Sequence, residues 1–259
     1  MLRLLLLALL LLGAPTVVSA VPGQCRNLPF FAEGLSKEDR VTALFKRGAD
    51  CIKEGNVAQT VAIFSEVIGI DPGNVDAYLN RGSAYVQSAQ FELGLSDFSH
   101  AIRLKPESEA AWYNRGTAFI AARQYDQAIA DLSETIRLKP DFARAYCNRA
   151  LAYMHKSDYD QALSDFEAGI KLNSSVMICY FARGDLYLGR NEYRKAIDDL
   201  TRGLALQPGN PVMLLKRGQA YEGLGERASA LEDFQAALAS APSSRLAQEG
   251  VSRLSPKEP

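Results

Sequence analysis

The strongest constraint on this chain is a 34-residue period marked by proline. Proline stands at five of the six periodic positions, and Ser174 holds the remaining one: Pro72, Pro106, Pro140, Pro208 and Pro242. This register divides residues 41–244 into six equal repeats without insertion or deletion: 41–74, 75–108, 109–142, 143–176, 177–210 and 211–244. A period of this length is typical of architectures in which each repeat is one supersecondary unit.

Each repeat carries the apolar pattern of two helices. Numbering places 1 to 34 within a repeat, place 8 is Gly or Ala and place 20 is small in every copy, whereas places 11 and 24 are mostly aromatic or leucine. Places 4, 8 and 11 are three or four residues apart, as are places 20, 24 and 28, which is the spacing of one helix face. We therefore predict a helical hairpin per repeat. Because one hairpin cannot cover its own apolar face, neighbouring hairpins must stack.

The sequence resembles the tetratricopeptide repeat family. The third repeat matches the family pattern most fully: Trp112, Gly116, Phe119, Ala128, Leu132, Thr135 and Pro140. Departures are confined to single places: Cys51, Thr60, Gly94 and Ser174. The resemblance covers residues 41–244 and implies an all-α fold, a right-handed superhelical solenoid of six hairpins. The first helix of each hairpin would line its concave wall, and the wall would bind peptides or proteins.

The two ends of the chain differ from the repeats. Residues 1–20 carry Arg3 near their start, continue through an unbroken Leu and Ala stretch and end in small residues, which is the layout of a cleaved signal peptide. We therefore expect an exported chain, periplasmic or secreted, that does not span the membrane after cleavage. We expect residues 21–40 to form a lead-in, whose Phe30 and Phe31 would pack on repeat one or lie in the groove.

Residues 245–259 are predicted to form a capping helix and a tail. A solenoid needs a polar cap at its end, because the last repeat would otherwise expose its stacking face. Leu246, Val251 and Leu254 are the apolar residues available to cover that face.

The four cysteines allow three pairings. Spacing favours Cys25 with Cys51 and Cys147 with Cys179, in a chain expected to reach an oxidising compartment. Free cysteine is the alternative, since it is also a common small core residue. Export would also make Asn173, in the sequence Asn-Ser-Ser, a formal acceptor for glycosylation.

A polar ladder runs through the repeats. Place 7 is arginine in all six copies: Arg47, Arg81, Arg115, Arg149, Arg183 and Arg217. Place 23 is aspartate in five copies: Asp97, Asp131, Asp165, Asp199 and Asp233. The matched rows favour structural ion pairs over an anion-binding stripe, because a guanidinium binds a carboxylate through two parallel hydrogen bonds. Ile63 stands at place 23 of the first repeat, so pairing within repeats or to the next repeat remains open.

Three consecutive repeats have asparagine at place 6, which faces the groove in tetratricopeptide relatives. Its amide can donate to and accept from a peptide backbone. The predicted peptide-binding residues are these asparagines and their neighbours: Leu79, Asn80, Ser83, Tyr113, Asn114, Thr117 and Asn148. The alternative is that asparagine here is a sequence variant without a ligand role.

Several functions are disfavoured. His100 and His155 have no acidic or cysteine partner at triad or ligand spacing, so we expect no enzyme, metal or cofactor. The full chain has 29 basic and 30 acidic residues, and cleavage of the signal peptide would remove Arg3 and leave a net charge of −2. The sequence also lacks the cluster of basic residues that binding to nucleic acid requires. No small-molecule substrate is expected either.

The sequence favours an extracytoplasmic interaction scaffold for a protein or peptide; the alternative is a homo-oligomeric structural module of an envelope or secretory assembly.

Overall fold

The computed structural model describes Cys25 and residues 36–255, and within them every regular element is an α-helix. In chain order the helices are α1 (Lys37–Lys53), α2 (Val57–Ile70), α3 (Val75–Gln87), α4 (Phe91–Leu104), α5 (Glu109–Ala121), α6 (Tyr125–Leu138), α7 (Ala143–His155), α8 (Tyr159–Leu172), α9 (Met177–Gly189), α10 (Tyr193–Leu206), α11 (Pro211–Gly223), α12 (Arg227–Ser240) and α13 (Arg245–Leu254). The predicted all-α repeat fold is confirmed.

The chain forms two compact units that divide after Pro140. The first contains the hairpins α1–α2, α3–α4 and α5–α6, and the second contains α7–α8, α9–α10, α11–α12 and the single helix α13. Within each unit, the second helix of a hairpin also packs on the first helix of the next. Each unit therefore buries its apolar faces by stacking, as the period predicts.

The hairpins close because small residues meet large ones. In α3, a Cβ added at Gly82 would lie 2.7 Å from Cε1 of Phe98, which belongs to α4. Phe98 is only 2% exposed. Its ring therefore packs directly on the α3 backbone, which accounts for the small residue at place 8.

The turn inside every hairpin uses the same left-handed residue. Place 15 has a positive φ in all six repeats: Gly55, Ala89, Arg123, Ser157, Asn191 and Gly225. The next N–H donates to the carbonyl of place 11, as Gln90 does to Tyr85 at 2.9 Å, which closes the helix end with a Schellman-type hydrogen bond. The backbone thus imposes a glycine-like conformation on side chains that disfavour it, such as Ala89 at φ 60°.

Replacing Ala89 with glycine is expected to stabilise the first unit by about 0.5–1 kcal/mol. Relief of the left-handed penalty, about 1–2 kcal/mol, outweighs the extra entropy of glycine in the unfolded chain, about 0.5–1 kcal/mol. Urea unfolding followed by helical circular dichroism measures the change. The matched control is Ala130→Gly inside α6, which should destabilise by a similar amount; equal effects from both substitutions would contradict the argument.

The turns that connect consecutive repeats, called joints below, are capped by side chains at several places. Asn74 accepts a hydrogen bond from the N–H of Ala77 at 3.0 Å, and Asn210 accepts from Met213 at 3.1 Å. The N-cap position of α7 is Phe142, which makes no side-chain capping hydrogen bond. Side-chain caps are therefore present at some turns between repeats and not at others.

The ends depart in detail from the expectation. α1 begins at Lys37, before the predicted start at residue 41, because Ser36 caps it by accepting from the N–H of Asp39. At the other end, α13 spans the predicted 245–254, and Leu254 is buried. Leu246 was expected to cover the last repeat and is instead 41% exposed, while Ala247 is fully buried in its stead.

Residues 1–20, where a signal peptide is predicted, as well as Phe30, Phe31 and the last four residues, lie outside the described part of the chain. None of the described helices combines the length and apolar character needed to cross a membrane.

Candidate functional site

The arginine row forms two-pronged ion pairs within repeats. In the second repeat, Arg81 Nε donates to Asp97 Oδ2 at 2.8 Å and Nη2 donates to Oδ1 at 2.7 Å. The same arrangement occurs in the four following repeats: Arg115–Asp131, Arg149–Asp165, Arg183–Asp199 and Arg217–Asp233. Of the two pairing schemes that the sequence left open, these pairs follow the one within repeats. Ile63, at the corresponding place of the first repeat, is buried.

The pairs are largely shielded from solvent. Asp131 is 4% exposed, and the guanidinium of Arg115 lies 4.9 Å from the ring of Trp112 and 5.7 Å from that of Phe119. Burial raises the pKa of Asp131, and the hydrogen bonds from Arg115 oppose that rise. In the second repeat, the hydrogen bond to Asp97 raises the pKa of Arg81 above its ordinary value. The ladder is therefore packed between aromatic rings and buried aspartates.

The remaining guanidinium nitrogen reaches the preceding repeat. Arg81 Nη1 donates to Ser65 Oγ and Arg115 Nη1 donates to Ser99 Oγ, both at 3.1 Å. In the second unit, Nη1 of Arg217 donates to Thr201 at 3.0 Å. These arginines donate their N–H groups to an aspartate and to a neighbouring hydroxyl. The geometry therefore supports a structural ladder rather than an anion-binding stripe.

The predicted groove residues of α3 are partly committed to their own helix. Asn80 Nδ2 donates to the carbonyl of Asp76 at 2.8 Å, and Ser83 Oγ donates to the carbonyl of Leu79 at 2.8 Å. Asn80 and Ser83 are half-buried, whereas Leu79 is 9% exposed. Among the residues that the structure describes, no donor makes a hydrogen bond to the side-chain oxygen of Asn80.

The neighbouring first helix, α5, presents Tyr113 and Asn114, which are both half-buried. Thr117 is 6% exposed and turns its hydroxyl back to the carbonyl of Asn114 at 2.9 Å. Within the described residues, the side-chain amide of Asn114 makes no hydrogen bond. Asn114 thus keeps two donors and one acceptor oxygen for another molecule.

Three of the predicted groove residues need correction. Leu79, Thr117 and Asn148 are buried, so their side chains offer little surface to a ligand. Asn148 belongs to α7 in the second unit and is 2% exposed, and a buried amide is normally used on partners within its own chain. The accessible part of the predicted site is reduced to Asn80, Ser83, Tyr113 and Asn114, which lie on contacting helices of the first unit.

The second unit has a different surface on the equivalent helices. Place 6 of α11 is Lys216, whose Nζ lies 2.6 Å from Asp185 Oδ1 on α9. A charged pair replaces the asparagine amide at this position. Place 6 of α11 therefore offers different side-chain chemistry from place 6 of α3 and α5.

Sequence reasoning missed one aromatic contact. His100 stacks on Tyr78 with ring centroids 4.3 Å apart, and its Nδ1 lies 3.0 Å from Arg103 Nη2. No motif in the sequence links His100 to Tyr78, since they belong to different helices of the hairpin.

All four cysteines are bridged in the pairing that spacing favoured. Cys25 is joined to Cys51 with Cα atoms 4.9 Å apart, and Cys147 is joined to Cys179 with Cα atoms 5.2 Å apart. No three potential metal ligands lie together in the described ranges.

Comparison with known families is consistent with the repeat geometry. A family profile described as tetratricopeptide repeat matches residues 113–176 and 181–250, and a second profile of the same description matches residues 75–108. A search of curated proteins returned no significant match.

Solved structures with the same fold have low sequence identity. PilF of Pseudomonas aeruginosa is 20% identical with a TM-score of 0.72, covering 84% of this chain and 99% of PilF. A tetratricopeptide repeat protein from Parabacteroides merdae is 20% identical with a TM-score of 0.66, covering 83% of this chain and 84% of that protein. YrrB, described as a TPR protein with an unusual peptide-binding site, is 18% identical with a TM-score of 0.54, covering 72% of this chain and 96% of YrrB.

Proposed function

Because the chain belongs to the tetratricopeptide repeat family, we propose that it is a non-catalytic scaffold that binds a peptide or protein along α3 and α5. Family membership supports protein–protein interaction in general, and the choice of face comes from the side chains of the first unit. The peptide-binding site named for YrrB is consistent with such a role in a protein of the same fold.

The amide of Asn114 is the observation that carries the proposal. It is half-buried and makes no hydrogen bond in the described part of the chain, whereas nearby polar groups are bonded internally. Thr117 and Ser83 return their hydroxyls to helix carbonyls, and Arg115 is held by Asp131. The amide is therefore the group on this face with the most hydrogen-bonding capacity left for a partner.

An extended peptide backbone is the partner chemistry that fits this amide. A primary amide pairs with a backbone N–H and C=O together, and the half-buried ring of Tyr113 can pack against an apolar side chain of the same segment. Asn80 adds an acceptor oxygen on the adjacent helix, while its Nδ2 already donates a hydrogen bond to the carbonyl of Asp76. We propose that the bound segment crosses from α3 to α5.

The proposed location is outside the cytoplasm. Residues 1–20 have the layout of a signal peptide, and each unit contains a cysteine pair at bonding distance. Disulfides persist mainly in oxidising compartments, so the two bridges support export to the periplasm or the exterior.

Replacing Asn114 with alanine is expected to weaken partner binding about tenfold, because removal of the amide leaves bound polar groups of the peptide unpaired. A photo-crosslinking residue at position 113 in the full chain first identifies the bound segment in the host's envelope or secreted fraction. Titration of that synthetic segment, followed by calorimetry, then measures the affinity of the wild-type and variant chains.

The matched control is Gln127→Ala on the exposed surface of α6 in the same hairpin. It should leave affinity unchanged, and circular dichroism should show equal helicity for both variants. Unchanged affinity after Asn114→Ala would contradict the assigned face. A stable oligomer in light scattering without added partner would instead favour the self-associating module.

A further inference from the structure

The joint between α8 and α9, within the second unit, lacks two features that fix other joints. Ser174 stands where the periodic proline is expected, and the N-cap of α9 is Val176, whose side chain makes no capping hydrogen bond. At the next joint, by contrast, Pro208 is present and Asn210 accepts from the N–H groups of Val212 and Met213. The local sequence therefore restrains the α8–α9 joint less than its neighbour.

A disulfide spans this same joint. Cys147 lies on α7 and Cys179 on α9, the first helices of the two hairpins that meet there, and both residues are 0% exposed. The bridge connects the hairpins directly, so the helices cannot separate far while it is closed. The joint of this unit that has neither the periodic proline nor a side-chain cap thus coincides with the only disulfide of the unit among the described residues.

The intervening helix is shaped around the bridge. In α8, a Cβ added at Gly169 would lie 2.7 Å from Cys147 Sγ and 2.9 Å from Cys179 Sγ. A larger side chain would press on both sulfurs. The absence of a side chain at Gly169 therefore lets α8 pack directly over the bridge and cover it.

We propose that the Cys147–Cys179 bridge takes the place of the missing proline and cap, and makes the α8–α9 joint redox-controlled. The closed bridge holds the two hairpins together. When a dithiol reductant opens it, the S–S bond breaks, two S–H groups form and the reductant becomes a disulfide. The joint then depends on the hydrogen bonds of its own turn, such as that from the Ser175 N–H to Asn173 Oδ1, and opens more often.

The substitution Ser174→Pro is compatible with the backbone. Asn173, the preceding residue, has φ −151° and ψ 104°, an extended conformation that suits a residue before proline. The corresponding Lys105 has φ −143° and ψ 85° and does precede a proline. In the described residues the N–H of Ser174 donates no hydrogen bond, so proline removes none. A proline can therefore restore the restraint without a bridge.

Hydrogen exchange at residues 173–180 of the full chain tests the proposal. Reduction by dithiothreitol, verified by alkylation of all four thiols, is expected to accelerate exchange there about tenfold, because the closed loop no longer limits opening. Cys147→Ala with Cys179→Ala should reproduce the acceleration without reductant. Adding Ser174→Pro to that variant should slow exchange about threefold, whereas the same proline in the oxidised chain should change it less than about twofold.

Two controls separate the bridge from general destabilisation. Pro208→Ser should accelerate exchange at the following joint to the same extent in oxidised and reduced chains. Cys25→Ala with Cys51→Ala should leave residues 173–180 unchanged, because that bridge belongs to the first unit. Equal exchange at 173–180 in the oxidised and reduced wild-type chain would overturn the proposal, as would a proline that slows exchange equally in both states.

Discussion

Replacing Phe98 with alanine is expected to lower the free energy of unfolding of the first unit by about 4 kcal/mol. Phe98 is 2% exposed and lies against the backbone of α3 at Gly82, where no side chain can move in to fill the space. The loss combines the transfer free energy of the ring with the cost of the cavity that remains. Urea unfolding followed by far-ultraviolet circular dichroism measures the change.

The chain itself supplies the control for this substitution. The equivalent place in the third repeat is Leu132, which packs against Gly116. Phe98→Leu should therefore cost only about 1 kcal/mol, since leucine fills most of the volume in an arrangement the fold already contains. A similar loss from leucine and alanine would show that the ring's shape, rather than its volume, determines stability.

Replacing Arg115 with leucine is expected to destabilise the first unit by about 3 kcal/mol near neutral pH. The substitution leaves the carboxylate of Asp131, 4% exposed, without the two hydrogen bonds that compensate its burial. Breaking one side of a buried pair is costly for this reason. Arg137→Leu removes an exposed arginine paired with Glu134 and should leave stability close to that of the wild type.

The pH dependence of this variant gives a sharper test. Burial raises the pKa of Asp131, and loss of Arg115 removes the hydrogen bonds that oppose the rise. With its folded-state pKa above the unfolded value, Asp131 binds a proton more tightly in the folded chain. The variant therefore loses stability as pH rises through that folded pKa, and its deficit against wild type should shrink as the pH is lowered from neutral.

The double variant Arg115→Leu with Asp131→Leu removes both charges and should recover most of the stability, because no unpaired carboxylate stays buried. Its deficit should not depend on pH over the same range. A pH-independent deficit in the single variant would contradict a role for Asp131 in the loss.

Features that depend on the repeat register could be predicted from the sequence. Proline spacing, the glycines that receive rings such as Phe98, and the Arg–Asp places are the same in nearly every copy, so one repeat informs the others. Exposure does not follow the register in this way. Asn80 and Asn148 hold the same place, yet the first is half-buried and the second 2% exposed, because exposure depends on neighbours outside the repeat.

The left-handed backbone conformation at place 15 could not be predicted from residue type alone. Arg123 and Ala89 do not favour positive φ, and nothing about either residue by itself indicates a left-handed turn. The signal lies in their register with Gly55 and Gly225, which adopt the same conformation readily. The orientation of the capping helix could not be predicted from apolar residues alone. Leu246 was expected to cover the last repeat, but the helix is oriented so that Ala247 is buried.

The third hydrogen bond made by Arg81, Arg115 and Arg217 has a consequence for the cooperativity of unfolding. Arg81 joins its own aspartate to Ser65 of the preceding repeat, and Arg115 repeats this connection one hairpin further on. When one hairpin unfolds, its neighbour therefore loses a hydrogen-bond partner as well as the apolar surface on which it packs. In a repeat protein, such nearest-neighbour terms set how many hairpins unfold together. The arginine ladder thus couples the melting of adjacent hairpins, so that partly unfolded forms of a unit are sparsely populated.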